Sequence, residues 1–485
     1  MVRKALAAVI LVALAASAAS AASSKRAPRW KGFSPCTLAG KVKAFCGTYE
    51  VFENREARSG RKIPLKIVIL PATGNDRAPD PVFLLEGGPG VGATLDAEEL
   101  SKDPVRARRD IVLVDTRGTG GSNPLNCSIW GDGTRLDHII PLDAVIACRE
   151  ELRKRADLTL YTSAAAMDDL DEVRRHLGYG KVNLSGASYG TYAAQVFLAR
   201  HPDAVRTVVL AAVVRPGEPS PLYHARNAQK ALELLARDCA ADPACHAAFP
   251  DMQQELSAVL YRLAKQPVKV RVVNPKTNKP VEVELTRSAA ADSLRWALYS
   301  PEAASRVPLR IHLAAQGDYS DLAQAAVGLR AQLQDFLAWG LLLSVTCAED
   351  LSRIDPQEIP TATAGTFYGD DRVREQLAAC GVWPHAPLPP GSGDLVRSDV
   401  PVLLFSGERD PVTPPADAAL VAKGFPNGLL VQIPHGTHAG AGSCQEGLIA
   451  KFTERGTAKG LDTSCIQAAP PVPFATKVPG KKPGR

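Results

Sequence analysis

Hydrophobic positions along this chain fall in short continuous blocks, set off by glycine-rich turns and by segments with helical spacing. GTYEVFE and KIPLKIVILPA are rich in β-branched and aromatic residues, with a polar turn between them, and predict an antiparallel strand pair. PVFLLEGGPG and RDIVLVDTRGTGG each predict a buried strand that runs into glycines. MDDLDEVRRHLGYG has helical apolar spacing and stops at glycine. KVNLSG then predicts a strand, SYGTYAAQVFLARHP a helix and VRTVVLAAVV a further strand. Continuous apolar strands that alternate with helices predict a parallel sheet buried on both faces.

That rhythm pauses between about residues 216 and 395. HARNAQKALELLARDCA and YSDLAQAAVGLRAQLQDFLAWGLLL predict helices there, with one strand pair at VKVRVVNPKTNKPVEVELT. VPVLLFSGERDPVTPP and GLLVQIPHGTHAG restore the strand-to-loop pattern. The expected organisation is α/β: a mostly parallel sheet flanked by helices, in two stretches (30–215 and 396–470) around a largely helical insertion (216–395). Residues 471–485, rich in Pro and Lys, are expected to be a disordered basic tail. No internal repeat is evident.

The amino end stands apart. Arg3 and Lys4 precede the apolar run ALAAVILVALAA, and Ala19-Ser20-Ala21 forms a small-residue cleavage site, with Ala16-Ser17-Ala18 as a second choice. Residues 1–21 therefore predict a cleavable signal peptide, and a secreted or periplasmic protein. The apolar run is shorter than the ~20 residues that span a bilayer, and no later segment suits insertion.

Composition (45% hydrophobic, 22% charged) is that of a globular chain. The formal net charge of +6 is accounted for by Arg3 and Lys4 in the leader and by Lys477, Lys481, Lys482 and Arg485 in the tail. The remainder is formally neutral, so nothing predicts a nucleic-acid partner. Ten cysteines fall as close neighbours: Cys36 and Cys46, Cys127 and Cys148, Cys239 and Cys245, Cys347 and Cys380, Cys444 and Cys465. In an exported chain this suggests five short-range disulfides, although spacing alone does not fix connectivity. No C-x-x-C pair occurs and the nine His do not cluster with Cys, so no metal site is expected.

Candidate chemistry centres on Gly186-Ala187-Ser188-Tyr189-Gly190. The G-x-S-x-G pattern is weak alone, but here a strand precedes it and a helix follows, the setting of a nucleophile elbow. The turn would aim the Tyr189 N–H at the same space as an oxyanion donor, and Gly88, in the bare Gly87-Gly88 backbone, is the candidate for the second donor. A serine needs a base oriented by an acid, later in the chain in that architecture. The loop after VPVLLFSG offers Glu408 and Asp410, of which Asp410 begins the turn away from the strand; the loop after GLLVQIP offers His435 and His438.

LLEGGPG, VDTRGTGGS, GASYG, GERDPVTP and GLDTSC together resemble the prolyl iminopeptidase and tripeptidyl aminopeptidase group of secreted α/β-hydrolases, over nearly all of the mature chain. The resemblance implies an α/β-hydrolase sheet with a helical cap, peptide substrates cut from a free amino terminus, and no metal or organic cofactor. It implies Ser188 as nucleophile, Asp410 as acid and His438 as base, with His435 the alternative. The family's His usually sits in a G-H-G context, whereas Ala439 follows His438 here. Glu86 also departs: single-domain iminopeptidases carry His before GGPG, which leaves a prolyl preference open. Cap carboxylates bind the substrate ammonium in the family, and Glu349 and Asp350 are the candidates. Asp115 and Arg117 are expected to be sheet-end scaffold. A carboxylesterase or lipase would use the same triad under an apolar cap, and a non-catalytic binding protein would need no intact triad. Epoxide and haloalkane hydrolases use Asp at the elbow, which Ser188 excludes.

Overall fold

The computed structural model describes residues 30–477 apart from 39, 389, 390, 439 and 441. The leader expected at 1–21 and the last charges of the tail lie outside the described residues.

A nine-stranded sheet organises the chain. Three strands, β1 (Ser34–Leu38), β2 (Val42–Phe52) and β3 (Lys62–Leu70), form an antiparallel meander. Then follow β4 (Val82–Leu85), β5 (Ile111–Val114), β6 (Val182–Ala187) and β7 (Val205–Ala211). A separate antiparallel hairpin of β8 (Val268–Val273) and β9 (Pro280–Leu285) stands in the insertion, before β10 (Val402–Gly407) and β11 (Gly428–Ile433) complete the sheet. The order is β1-β2-β3-β5-β4-β6-β7-β10-β11, parallel from β5 to β11, with β3 antiparallel to β5.

The expected strand pair is β2 and β3; β1 was not anticipated from SPCTL. That segment is short, begins Ser-Pro and is mostly exposed, so it carries little apolar pattern. The Cys36–Cys46 disulfide fastens it to β2. All five disulfides join close sequence neighbours: Cys36–Cys46, Cys127–Cys148, Cys239–Cys245, Cys347–Cys380 and Cys444–Cys465.

Side-chain alternation explains the continuous apolar runs. Ile67, Ile69, Val112 and Val114 enter one core while Val68, Leu70, Ile111 and Leu113 enter another on the opposite face. Every residue of β5 and β10 is buried, because helices cover both faces.

Between Ala211 and Val402 the chain is mainly helical and shares one continuous core with the sheet. Its central helix, Trp339–Glu349, is buried along its whole length, hence the unbroken apolar sequence WGLLLSV. Ala338 N donates to Gly90 O (3.0 Å) and Gly340 N to Leu125 O (2.8 Å), which docks this helix on the loops after β4 and β5. Gly340 has no room for a side chain: a Cβ would lie 2.6 Å from that same Leu125 carbonyl.

Residues 471–477 differ from the expected free tail. Phe474 packs against the insertion, and Ala475 N donates to Ser305 O at 3.1 Å. The Pro-rich composition excludes regular structure there, yet it leaves an aromatic free to dock.

Candidate active site

The elbow follows from two glycines. Ser188 sits between β6 and the helix Tyr189–Arg200 with φ +55° and ψ −126°, a conformation costly for a side-chain-bearing residue. A Cβ on Gly186 would lie 2.3 Å from Gly190 O, and one on Gly190 1.9 Å from Leu85 O, so the turn closes only without side chains. Ser188 N donates to Ala211 O (2.9 Å), fixing the turn to the end of β7. Tyr189 is the first helical residue, so its N–H has no acceptor within the helix.

The loop after β4 lies against the serine. A Cβ on Gly87 would stand 3.2 Å from Ser188 Cβ and 3.7 Å from its Oγ. Gly88 has φ +111° and lines a cavity of about 110 Å³ with Ser188 and Tyr189. Glu86 precedes them. Burial, a hydrogen bond with Asp96 and the charges of Asp96 and Glu99 push its carboxyl up to about 8, against a bond from the Gly87 N–H.

Asp410 follows β10 and is 3% exposed. Its Oδ1 accepts from the Val412 and Thr413 backbone N–H groups (2.8 and 2.9 Å), and its Oδ2 from Thr413 Oγ1 (2.7 Å). His438 Nδ1 lies 3.0 and 2.9 Å from the two oxygens. Burial raises the carboxyl's pKa, but the His438 charge and the bonds from His438 and Thr413 outweigh it and hold the carboxyl below its ordinary value. Thr413 also lines the cavity that Ser188 lines. Tyr299 packs its ring edge-on to His438, with centroids 4.8 Å apart, and its carbonyl accepts from Thr437 Oγ1 at 2.8 Å.

His435 and Glu408 are placed elsewhere. His435 Nδ1 lies 2.8 Å from Asp238, and its backbone N–H donates to Glu408 Oε2 at 3.0 Å. Arg409 links Asp238 to the His435 carbonyl. This cluster anchors the helix His224–Ala241 to the two loops and does not include Asp410.

Three carboxyls line the cavity: Glu218, Glu349 and Asp350. Glu349 Oε1 accepts from Ser163 N (2.7 Å), the Tyr192 hydroxyl stands by the carboxyl, and the buried Oε2 has no close hydrogen-bond partner among the described residues. Burial raises the Glu349 pKa. Burial and the Glu349 charge raise that of Asp350 well above the ordinary value, against the pull of Arg353. Glu218 is pushed up to about 8 by burial and by its contact with Asp417. Sequence reading missed Glu218, because nothing in PGEPS marks it as facing the site. It also missed Thr413, although DPVTP places a hydroxyl three residues from the acid.

Asp115 and Arg117 brace loops. Asp115 accepts from Thr94 N and Gly121 N (2.9 and 2.8 Å), and Arg117 pairs with Asp169 (2.6 Å) and donates to the Glu53 and Leu160 carbonyls.

A family model described as the alpha/beta hydrolase fold matches residues 80–441. Among curated proteins, the chain is similar to "Serine protease Hip1" of Mycobacterium tuberculosis: 26% identical over 461 residues, covering 84% of this chain and 86% of that protein. It is similar to the tripeptidyl aminopeptidase of Streptomyces lividans: 25% identical over 477 residues, covering 88% of this chain and 84% of that one. A proline iminopeptidase of Neisseria gonorrhoeae is 29% identical over 140 residues, covering 28% of this chain and 34% of its own length.

Proposed function

The chain belongs to the alpha/beta hydrolase fold family, and we propose that it is a serine exopeptidase that cuts peptides from a free amino terminus. The observation that carries this reading is the cavity beside Ser188: three carboxyls line it, and the buried Glu349 Oε2 has no close partner among the described residues. A substrate ammonium supplies the missing donors and the charge. Binding would then favour the ionised carboxylates that burial otherwise disfavours. An esterase on this scaffold calls for an apolar pocket there, so the acidic lining supports the peptidase over its rival. Relatives named as serine protease and aminopeptidase support it also. The helical insertion acts as the cap that carries Glu349 and Asp350. Five disulfides support an exported protein.

In the proposed mechanism, His438 accepts the Ser188 proton as Oγ attacks the carbonyl carbon of the scissile bond. The Tyr189 and Gly88 N–H groups hold the oxyanion. Asp410 fixes the Nδ1–H tautomer of His438 and stabilises its cationic form. His438 then protonates the leaving amine, the C–N bond breaks, and water, deprotonated by His438, hydrolyses the acyl-enzyme.

The test compares prolyl, alanyl and tripeptidyl aminocoumarins with their N-acetylated forms, with Ser188→Ala as the blank. Ser188-dependent hydrolysis that acetylation abolishes is the expected result. Equal rates with and without acetylation, or turnover of acyl esters alone, would overturn the reading.

A further inference from the structure

The cavity lining also carries positive charge. Arg372 lines it together with Ser188 and His224. This arginine stands in the helix Asp371–Val382, which Cys347–Cys380 ties to the helix that carries Glu349. Its guanidinium donates to Gln376 and makes no ion pair among the described residues. Gln376 in turn donates to Thr346 Oγ1 at 2.8 Å. Beside Arg372 stands Arg295, buried to 2% exposure, which donates to Tyr299 Oη (2.8 Å) and lies 3.3 Å from His224 Nδ1, while its Nε has no partner.

Among the described residues, neither arginine has a carboxylate of its own. Asp292 bears on both, but it is already paired with Arg330 at 3.2 Å and accepts from Tyr368 Oη at 2.7 Å. Burial holds His224 well below its ordinary pKa, and the two arginines add to that effect. Guanidinium keeps its charge at any working pH, so the excess is positive and fixed. Arg215, which also lines the cavity, is by contrast matched by Asp417 at 2.9 Å.

The two sets of charges reach the catalytic groups through different contacts. Glu349 holds Ser163 N (2.7 Å), and Ser163 Oγ lies 2.7 Å from Tyr189 Oη on the elbow helix. Arg295 donates to Tyr299 Oη (2.8 Å), and the Tyr299 ring packs on His438. In the proposed mechanism His438 protonates the departing amine, so the leaving residue lies on the His438 side, where Tyr299 and Arg295 stand.

We propose that Arg372, backed by Arg295, binds a carboxylate on the leaving residue, so that preferred substrates carry an ammonium for the cavity's carboxyls and a carboxylate for its arginines. This rests on the exopeptidase reading. The carboxylate has two sources: the free carboxyl terminus of a short peptide, or an acidic side chain.

The test uses X, the amino-terminal group best accepted in the aminocoumarin assay, in three substrates: X-Ala, X-Ala-amide and X-Glu-amide. Wild-type enzyme should show kcat/KM about 10- to 100-fold higher for a carboxylate-bearing substrate than for X-Ala-amide, the range of a charge-assisted pair. A preference for X-Ala assigns the chain terminus, and one for X-Glu-amide the side chain. Arg372→Gln should bring the ratio to about one, and Arg372→Lys should keep part of it, since the charge stays but the planar fork is lost. Fluorophosphonate labelling of Ser188 reports whether each variant is folded; if Arg372→Gln is not, the wild-type and Arg372→Lys ratios decide. Equal rates on all three substrates, or an unchanged ratio in Arg372→Gln, would overturn this proposal alone. Failure to cut any of the three by an enzyme that still labels would overturn the exopeptidase reading, and this proposal with it.

Discussion

Asp410→Asn separates orientation of the histidine from every other feature of the site. The carboxylate accepts two backbone N–H groups on Oδ1, and both survive if the Asn oxygen takes that place. The Asn amide nitrogen then replaces Oδ2, facing Thr413 Oγ1 and His438 Nδ1. The threonine hydroxyl can turn and accept. His438 Nδ1 then faces the amide N–H at the Oδ2 place and keeps only the Asn oxygen at 3.0 Å, which already accepts two backbone N–H groups; the amide favours the tautomer that accepts on Nδ1, which moves the ring proton to Nε2, the atom required to take the serine proton. Loss of the correct tautomer, with geometry kept, costs about a thousand- to ten-thousand-fold in kcat, or about 4–5.5 kcal/mol. Asp410 touches no substrate in this scheme, so the loss falls on kcat with KM within about threefold. Steady-state kinetics on the best aminocoumarin measures both constants. A fall under about tenfold, or one confined to KM, would refute the orienting role.

Three further outcomes follow from the geometry. His438→Gln should abolish turnover, whereas His435→Gln, which breaks only the bond to Asp238, should keep kcat/KM within a few-fold; comparable losses in both would contradict the assignment. Gly190→Ala forces a Cβ to 1.9 Å from the Leu85 carbonyl and should cost about 3 kcal/mol or more, while Gly180→Ala, with open space around it, should be near neutral in the same thermal melts. Glu218 binds its proton more tightly in the folded state, with a pKa near 8, than the ordinary carboxyl near 4.5. Its contribution is therefore fully present below pH 4.5 and is lost as pH rises through 8, so Glu218→Gln should raise the thermal midpoint relative to wild type more at pH 9 than at pH 4. A gain independent of pH would count against the buried Glu218–Asp417 contact.

The sheet was legible because its central strands are buried on both faces and read as unbroken apolar runs, β5 and β10 above all. The elbow was legible because Gly186 and Gly190 are demanded by backbone contacts under 2.5 Å, a local constraint that leaves a local signature. β1 escaped because an edge strand needs little apolar pattern. The pairing of His438 rather than His435 with Asp410 could not come from spacing: both lie past β11, and only the fold puts Asp238 beside the first and Asp410 beside the second. Glu218, Arg372 and Arg295 were invisible for a related reason. Each is an ordinary charged residue in its own segment, and its importance arises from burial among elements distant in the chain.

Trapping the acyl-enzyme tests the role of Ser188 as the nucleophile that takes up an amino-terminal fragment. A free-amine peptide nitrophenyl ester, quenched in acid within the first turnovers and examined by intact-mass and peptide mass spectrometry, reports which atom is acylated and by how many residues. An adduct of the amino-terminal fragment on the peptide that contains Ser188, absent from Ser188→Ala and from the acetylated substrate, is the expected result. Acylation at another residue, or equal labelling by the acetylated ester, would contradict it.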